Sequence, residues 1–260
     1  MEARSLSLTG AQRLVVFATL LGIAGATLWL GPLRDASRLN ATFSIPWWAE
    51  LIACYAASLL YVEVRTQRTR STLSLTEIPV VMGLFLVDPR ILLGAYVVGV
   101  LLGHWTRRGI QPARDYANAM LDVLYIALVL LVFMAVQPDP SDPLAPRSLL
   151  AIAAAMAAGG WLLGPLAINL GLYLYQGGIE RTEVVREFTS QVVVTTTNSC
   201  LGVVGLLFFD SHPWLAFALI PPALLVLVVQ LTASESQRRA ERMEFLYRTS
   251  DILHSTMRVN

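Results

Sequence analysis

The feature that most constrains this chain is a succession of apolar segments, most of them about as long as a membrane is thick. A helix needs about 20 apolar residues to cross a hydrocarbon core of about 30 Å. Only 14% of the residues are charged, against about 25% in an ordinary soluble domain. Eight segments meet or approach the spanning length, namely 14–32, 46–64, 73–87, 90–105, 117–136, 149–175, 185–209 and 213–233. The sequence therefore predicts an all-α integral membrane protein with an eight-helix transmembrane bundle.

Arginine placement sets the predicted topology. All 19 cationic residues are Arg, and cytoplasmic loops are enriched in positive charge. With eight crossings and both termini inside, 15 arginines are cytoplasmic and four are outside, namely Arg34, Arg38, Arg90 and Arg147. If segment 73–87 were re-entrant, the best division would be 12 against 7. We therefore expect a multi-pass protein of the bacterial inner (cytoplasmic) membrane with both termini in the cytoplasm.

Several classes of chemistry are excluded by missing motifs. The chain has no Gly-rich phosphate loop, GxSxG, HExxH or CxxC sequence, so we expect no catalytic residue. Cys54 and Cys200 lie in apolar runs and are expected to be small buried residues. The three histidines fall at separate levels, so no metal or cofactor is expected, and the absence of Lys excludes a retinal Schiff base. The net charge of +1 gives no indication of a nucleic-acid partner.

Polar residues inside apolar segments are the candidates for a site, because each is costly unless paired or exposed to a cavity. Asn118, Asp122 and Tyr125 follow one another at spacings of four and three, which places them on one helical face. Asp122 needs a partner such as Asn118, Asn169 or an Arg. It either forms a structural bond between helices or belongs to a ligand or proton site. Glu77 begins segment 73–87, where it is either a capping carboxylate or a second site residue.

The seventh segment carries a polar run of its own, from Thr195 to Ser199. Its threonines can bond back to carbonyls four residues earlier. Asn198 does so less easily, which makes it the better candidate to line a pocket. Glu50, just beyond Trp47, is expected at the outer interface. The candidate ligand-binding residues are thus Asp122, Asn118, Tyr125, Glu77, Asn169 and Asn198.

Small residues recur at four-residue spacing in segments four and six. Ala95, Gly99 and Gly103 form one such row, and Gly160 and Gly164 form another. In membrane helices such rows let backbones approach closely, so we expect them at helix–helix contacts.

The character of the chain changes after residue 231. Residues 1–231 are interpreted as the transmembrane domain and residues 232–260 as a cytoplasmic signalling helix. An apolar stripe there predicts the start of a coiled coil and hence a homodimer, the alternative being an amphipathic helix on the membrane surface. The stripe consists of Met243, Leu246, Leu253 and Met257. Because the pattern runs to Asn260 without a cap, we expect the chain to be a piece of a longer protein.

The stretch from Leu75 to Leu131 resembles a known family. TEIPVVMGLFLVDPRILLGAYVVGVLLGHW, followed by RDYANAMLDVLYIAL, is similar to the central part of the membrane-associated sensor (MASE-type) domains of bacterial GGDEF and EAL signalling proteins. The shared features are a Pro-containing helix, a short Pro turn, a Gly-rich helix, and a helix opening with Asn118 and Asp122. The resemblance implies a sensor module whose output domain makes or degrades cyclic-di-GMP.

Three functions remain open from the sequence. The favoured one is a membrane sensory input and dimerisation module that binds an unknown small-molecule ligand in the lipid bilayer. The alternative is a small-solute transporter or its substrate-binding membrane subunit, with Asp122 or Glu77 as a cation or proton site. The third is an intramembrane enzyme acting on lipid, for which no nucleophile with a paired base is present. Any cyclase or phosphodiesterase activity would belong to a longer parent protein.

Overall fold

A computed structural model gives the architecture of residues 9–34, 36, 44–65, 70–108, 112–139, 142–178 and 180–211, and of 220–222, 224–225, 228 and 232 beyond these. The described chain is predominantly helical. Its helices are α1 (Gly10–Leu30), α2 (Trp47–Leu59), α3 (Glu77–Leu86), α4 (Pro89–Arg108), α5 (Pro112–Val136), α6 (Pro146–Met156), α7 (Gly164–Gln176) and α8 (Arg181–Ser211). A π-helical segment, Ala157–Leu163, joins α6 to α7, and two short strands, β1 (Tyr61–Arg65) and β2 (Arg70–Ser74), form an antiparallel hairpin between α2 and α3.

Within the described residues, four helical stretches are long and apolar enough to cross a membrane. They are Gly10–Leu30, Asp115–Val136, Pro146–Gln176 and Glu187–Phe209. Large apolar side chains cover their outer surfaces, including Leu20 on α1, which is 60% exposed, and Leu166 on α7, which is 64% exposed. Such surfaces suit a lipid environment, because lipid does not penalise exposed apolar side chains. The prediction of a membrane protein with transmembrane helices is confirmed at this level.

The predicted segments 46–64 and 73–87 are helical over only part of their lengths. Helix α2 has 13 residues and α3 has 10, which correspond to about 20 Å and about 15 Å. The chain between them forms the hairpin, in which Tyr61 pairs with Ser74 and Arg65 with Arg70. The local sequence explains this, since Val62-Glu63-Val64 alternates apolar and charged residues and its two valines are β-branched, as strands prefer.

The C-terminal predictions lie almost entirely outside the described residues. They are the eighth segment, 213–233, and the coiled-coil stripe of Met243, Leu246, Leu253 and Met257. Both stay predictions. The same holds for the boundary at residue 231 between the two predicted domains.

Glycines bring the helices into close contact. Helix α1 packs along α5, and α2 packs along α4. A Cβ atom at Gly25 of α1 would lie 2.9 Å from the backbone nitrogen of Leu124 in α5. One at Gly99 of α4 would lie 2.9 Å from the Leu51 carbonyl oxygen in α2. The packing role predicted for the small residues of segment four is therefore confirmed at Gly99, since there is no room for a side chain.

The two ends of the bundle differ. At the end where Asp88 links α3 to α4, here called the Asp88 end, the interior is apolar. The rings of Phe85 and Phe133 meet edge to face with centroids 5.0 Å apart, and both side chains are fully buried, as is Leu92. The other end, where α4 finishes at Arg108, is here called the Arg108 end. The polar residues discussed below lie on that side of the aromatic pair.

Two arginines at the Asp88 end bond to backbone carbonyl groups. Arg147 donates from Nε to the carbonyl oxygen of Val136, the last residue of α5, at 3.1 Å. Arg90 donates to the carbonyl oxygen of Arg34, in the turn after α1. Helix ends leave carbonyl groups without intrahelical partners, and arginine can satisfy them. These arginines, predicted to be outside, thus have local structural partners.

The contact at Gly99 gives a stability prediction. We expect Gly99→Ala to destabilise the protein by about 1–3 kcal/mol, because the new methyl group overpacks the α2–α4 contact. That loss corresponds to a Tm about 3–9 °C lower. Thermal unfolding of the purified protein in mild detergent measures it.

Gly94→Ala is the matched control in the same helix, because a Cβ atom at Gly94 would have no neighbouring atom within 4 Å. Its Tm should stay unchanged or rise slightly, as Ala is the better helix former. Equal Tm values for the two variants would contradict the close α2–α4 contact.

Candidate ligand-binding site

A polar cavity of about 160 Å³ lies between α3, α4, α5, the π-helical segment, α7 and α8. It occupies the half of the bundle nearer the Arg108 end, since it includes residues near the end of α4 and the start of α5. Ten of its lining residues are polar, namely Ser58, Thr76, Glu77, Tyr96, His104, Asn118, Asp122, Tyr125, Gln191 and Thr195. The remaining lining residues are Val100, Leu121, Gly160, Gly164 and Ile168. The cavity is large enough for several waters or a small organic molecule.

Glu77 joins α3 to α8 on one side of the cavity. Asn198 donates from Nδ2 to Glu77 Oε2 at 2.9 Å, and Thr195 donates from Oγ1 to Glu77 Oε1 at 3.5 Å. Both donors on α8 are fully buried or nearly so. The N-cap residue of α3, Thr76, makes no side-chain cap bond. The predicted site residues Glu77 and Asn198 are thus brought together by a bond between helices, in addition to the position of Glu77 in the first turn of α3.

Asp122 faces the same cavity from α5. Its carboxyl group is hydrogen-bonded to the hydroxyl of Tyr96 on α4. Its Oδ2 atom is buried and has no hydrogen-bond partner among the described residues. Asn118 and Tyr125 line the cavity beside it, as the spacing predicts for one helical face. Of the two roles considered for Asp122, the structure therefore supplies one bond between helices and leaves one oxygen open.

Tyr96 is the partner of Asp122 that sequence reasoning missed. The partners considered there were Asn118, Asn169 and an arginine. Its ring lies 5.8 Å from that of Tyr125, centroid to centroid, with 30° between the planes. The available signal was a single tyrosine inside an apolar, Gly-rich segment, because a buried tyrosine hydroxyl usually needs a polar partner. Ser58, His104 and Gln191 were not singled out as candidates either.

Two predicted site residues, Asn198 and Asn169, are not among those that line the cavity. Asn198 is linked to the cavity by its bond to Glu77, and Asn169 lies on α7. Asn169 donates from Nδ2 to the carbonyl oxygen of Pro165, one turn earlier in α7, at 2.7 Å. The bond satisfies a carbonyl within its own helix. Thr196 and Thr197 bond back in the same manner, to Val192 and Val193, as predicted for threonines in this run.

The π-helical segment packs against α8 and α5 beside the cavity. A Cβ atom at Gly160 would lie 2.6 Å from Thr195 Oγ1, and one at Gly159 would lie 2.8 Å from a ring carbon of Tyr125. Both glycines are buried. π-Helical turns are rare and recur at functional sites. Here the segment sets glycine backbone directly against two of the residues around the cavity.

Glu50 requires a correction. It was expected at the outer interface, but its side chain is only 2% exposed. It accepts a hydrogen bond from Cys54 Sγ at 3.5 Å, and it lies beneath Gly83 of α3. The short α2 turns its Glu50 face towards α3, while Trp47 stays on the surface. Glu50 is not among the cavity-lining residues.

The two cysteines differ in solvent exposure. Cys54 is buried as predicted, whereas Cys200 is exposed on the surface of α8. The described side chains contain no group of three or more His, Cys, Asp or Glu placed to hold a metal ion.

Comparisons with protein-family models, with curated proteins and with solved structures find no match for this chain. The resemblance to MASE-type domains over Leu75–Leu131 therefore stays a prediction. In the structure this stretch forms α3, α4 and most of α5. These helices supply Glu77, Tyr96 and Asp122 to the cavity.

The contact between α3 and α8 gives a second stability prediction. We expect Asn198→Leu to destabilise the protein by about 1–3 kcal/mol, because the buried Glu77 carboxyl group loses its shorter hydrogen bond. Thermal unfolding in detergent measures the loss.

Thr196→Val is the matched control on the same helix. Thr196 is exposed and bonds only to its own backbone turn among the contacts described, so its Tm should change little. A Tm for Asn198→Leu as high as that of Thr196→Val would show that the bond to Glu77 contributes nothing.

Proposed function

We propose that this chain is the membrane sensory input and dimerisation module of a bacterial signal-transduction protein. The observation that carries the proposal is the cavity, where polar side chains from α3, α4, α5 and α8 converge around Glu77 and Asp122. A small molecule bound there would contact several helices at once. Its binding would therefore favour one helix packing over another, which is how a ligand shifts a conformational equilibrium.

Helix α8 connects the cavity to the C-terminal segment. It contributes Thr195 and Gln191 to the wall and donates both described inter-helix hydrogen bonds to Glu77. The chain then continues from Ser211 into the predicted eighth segment and the predicted coiled-coil stripe. A small shift of α8 against α3 would thus reach the cytoplasmic helix through the predicted eighth segment. Helix shifts of about 1–2 Å are sufficient in known switches.

The finer parts of the proposal come from the sequence. Eight crossings with both termini in the cytoplasm give the most asymmetric arginine distribution. The stripe from Met243 to Met257 supports a homodimer. The resemblance of Leu75–Leu131 to MASE-type domains supports a cyclic-di-GMP synthase or phosphodiesterase as the output. In this topology the cavity lies in the cytoplasmic half of the bundle.

A small-solute transporter is the second candidate, because the cavity reaches Glu77 and Asp122 in the middle of the bundle. A transporter must also release its solute at the opposite face. The described residues between the cavity and the Asp88 end form a packed apolar core that includes Phe85, Phe133 and Leu130. Access from one side is enough for a sensor, so this packed end supports the sensor function.

The proposal predicts that filling the cavity changes the output. Gly164 lines the cavity, and its nearest neighbour beyond the local backbone is the Gly159 carbonyl oxygen, 3.5 Å from a Cβ position. Gly164→Leu therefore places a side chain in the cavity. With a diguanylate cyclase domain fused in frame after Asn260, we expect this variant to change cyclic-di-GMP per membrane-inserted protein by at least about threefold, an energy of under 1 kcal/mol.

Gly94→Leu is the matched control, because the same substitution there enters open space on the surface of α4. It should leave the cyclic-di-GMP level of the fusion unchanged. Equal output from wild type and Gly164→Leu, in a fusion whose cyclase is active, would contradict the sensor function. Solute uptake by proteoliposomes of the unfused chain would then support transport.

A further inference from the structure

We infer that the cavity binds a small organic cation, with the Asp122 carboxylate as its counter-ion and the rings of Tyr96 and Tyr125 as its aromatic wall. The inference rests on the proposed function and deepens it, since it names the chemical class of the ligand. Its first support is the charge of the cavity. Two carboxyl groups, Glu77 and Asp122, line it, and none of the lining side chains that the structure describes is an Arg or a Lys.

This charge distribution selects among ligands. An anion would meet two carboxyl groups and no guanidinium among the described lining residues, and close like charges in a poorly solvated site cost several kcal/mol. A cation would offset the cost of burying a carboxylate in a membrane bundle. His104 is the one imidazole on the wall, and it lies near the end of α4, two helical turns from Tyr96.

The two carboxyl groups differ in how far their hydrogen-bonding capacity is used. Both oxygens of Glu77 accept bonds from α8, at 2.9 Å from Asn198 and 3.5 Å from Thr195. Asp122 is bonded to Tyr96, while its Oδ2 atom is buried and has no hydrogen-bond partner among the described side chains and backbone. Such an oxygen is costly unless something fills the position. Asp122 is therefore the carboxyl group with a place for a ligand donor.

The tyrosines make an organic cation a better fit than a metal ion. Their rings are 5.8 Å apart and tilted by 30°, one on α4 and one on α5. A cation within about 6 Å of a ring centroid is attracted by its π electrons, most strongly where water is excluded. Hard metal cations such as Ca²⁺ instead require about six or more oxygen ligands, and the described residues offer no cluster of metal-binding side chains. The volume of about 160 Å³ limits the ligand to a few heavy atoms.

Two cations with neutral counterparts of similar shape test the inference. The probes are choline, paired with 3,3-dimethylbutan-1-ol, and n-butylammonium, paired with butan-1-ol. Each is added as its chloride, or with matching NaCl, to the purified chain of 260 residues in mild detergent. We expect at least one cation to raise Tm in a saturable manner by about 3–6 °C. The neutral counterpart should produce no saturable rise, because it has the shape without the charge.

Three variants test whether the cation-dependent rise in Tm depends on Asp122. Asp122→Asn keeps the size of the side chain and removes its charge, so the cation-dependent rise should be lost. Asn118→Arg places a guanidinium four residues before Asp122 on the same helical face. It should pair with Asp122 and also abolish the rise, even if Asp122→Asn fails to fold. Glu50→Gln neutralises a buried carboxyl group outside the cavity and should keep the full rise.

Three results would overturn the inference: no saturable shift with either cation, a shift of equal size with the neutral counterpart, or a shift that persists in both Asp122→Asn and Asn118→Arg. None of these bears on the sensor function, which the Gly164→Leu fusion tests without any ligand. Conversely, a cation-dependent rise that is specific to Asp122, combined with unchanged output from Gly164→Leu, would leave the ligand class intact and remove the sensor function.

Discussion

Helix α3 starts inside the bundle, and much of the surrounding structure follows from that position. A helix start leaves backbone N–H groups without intrahelical partners, and lipid offers none. Here the start of α3 lies beside a polar cavity, with Glu77 in its first turn and with Thr195 and Asn198 donating to that carboxyl group from α8. The β hairpin that precedes α3 lies against α2 and α8. The start of α3 is therefore surrounded by protein and the cavity rather than by lipid.

The two ends of the bundle are packed differently. At the Asp88 end, side chains such as Phe85, Phe133 and Ile126 are fully buried and pack tightly, which fixes the helices relative to one another. Towards the Arg108 end, polar groups and glycines replace that packing around the cavity. Under the sensor proposal, α8 would move at the level of the cavity while Leu206 holds it in the apolar core. This division is the physical basis of the sensor proposal.

Part of this arrangement can be predicted from the sequence and part cannot. Run length and composition predict the four long membrane helices, and the four- and three-residue spacings predict that Asn118, Asp122 and Tyr125 share a face. Pairing across helices is not encoded locally. The bond from Asn198 to Glu77 joins residues 121 positions apart, and the bond between Tyr96 and Asp122 depends on how α4 and α5 are rotated. Glu50 was misplaced for the same reason, because the rotation of α2 decides whether that side chain meets water or α3.

The short helices α2 and α3 also bear on how the protein enters the membrane. With 13 and 10 residues, neither offers the translocon the length of about 20 apolar residues at which a helix partitions into lipid unaided. The next described stretch that is long and apolar enough to cross alone is Asp115–Val136. Insertion of α2 and α3 is therefore expected to depend on the helices that they contact, α4 for α2 and α8 for α3.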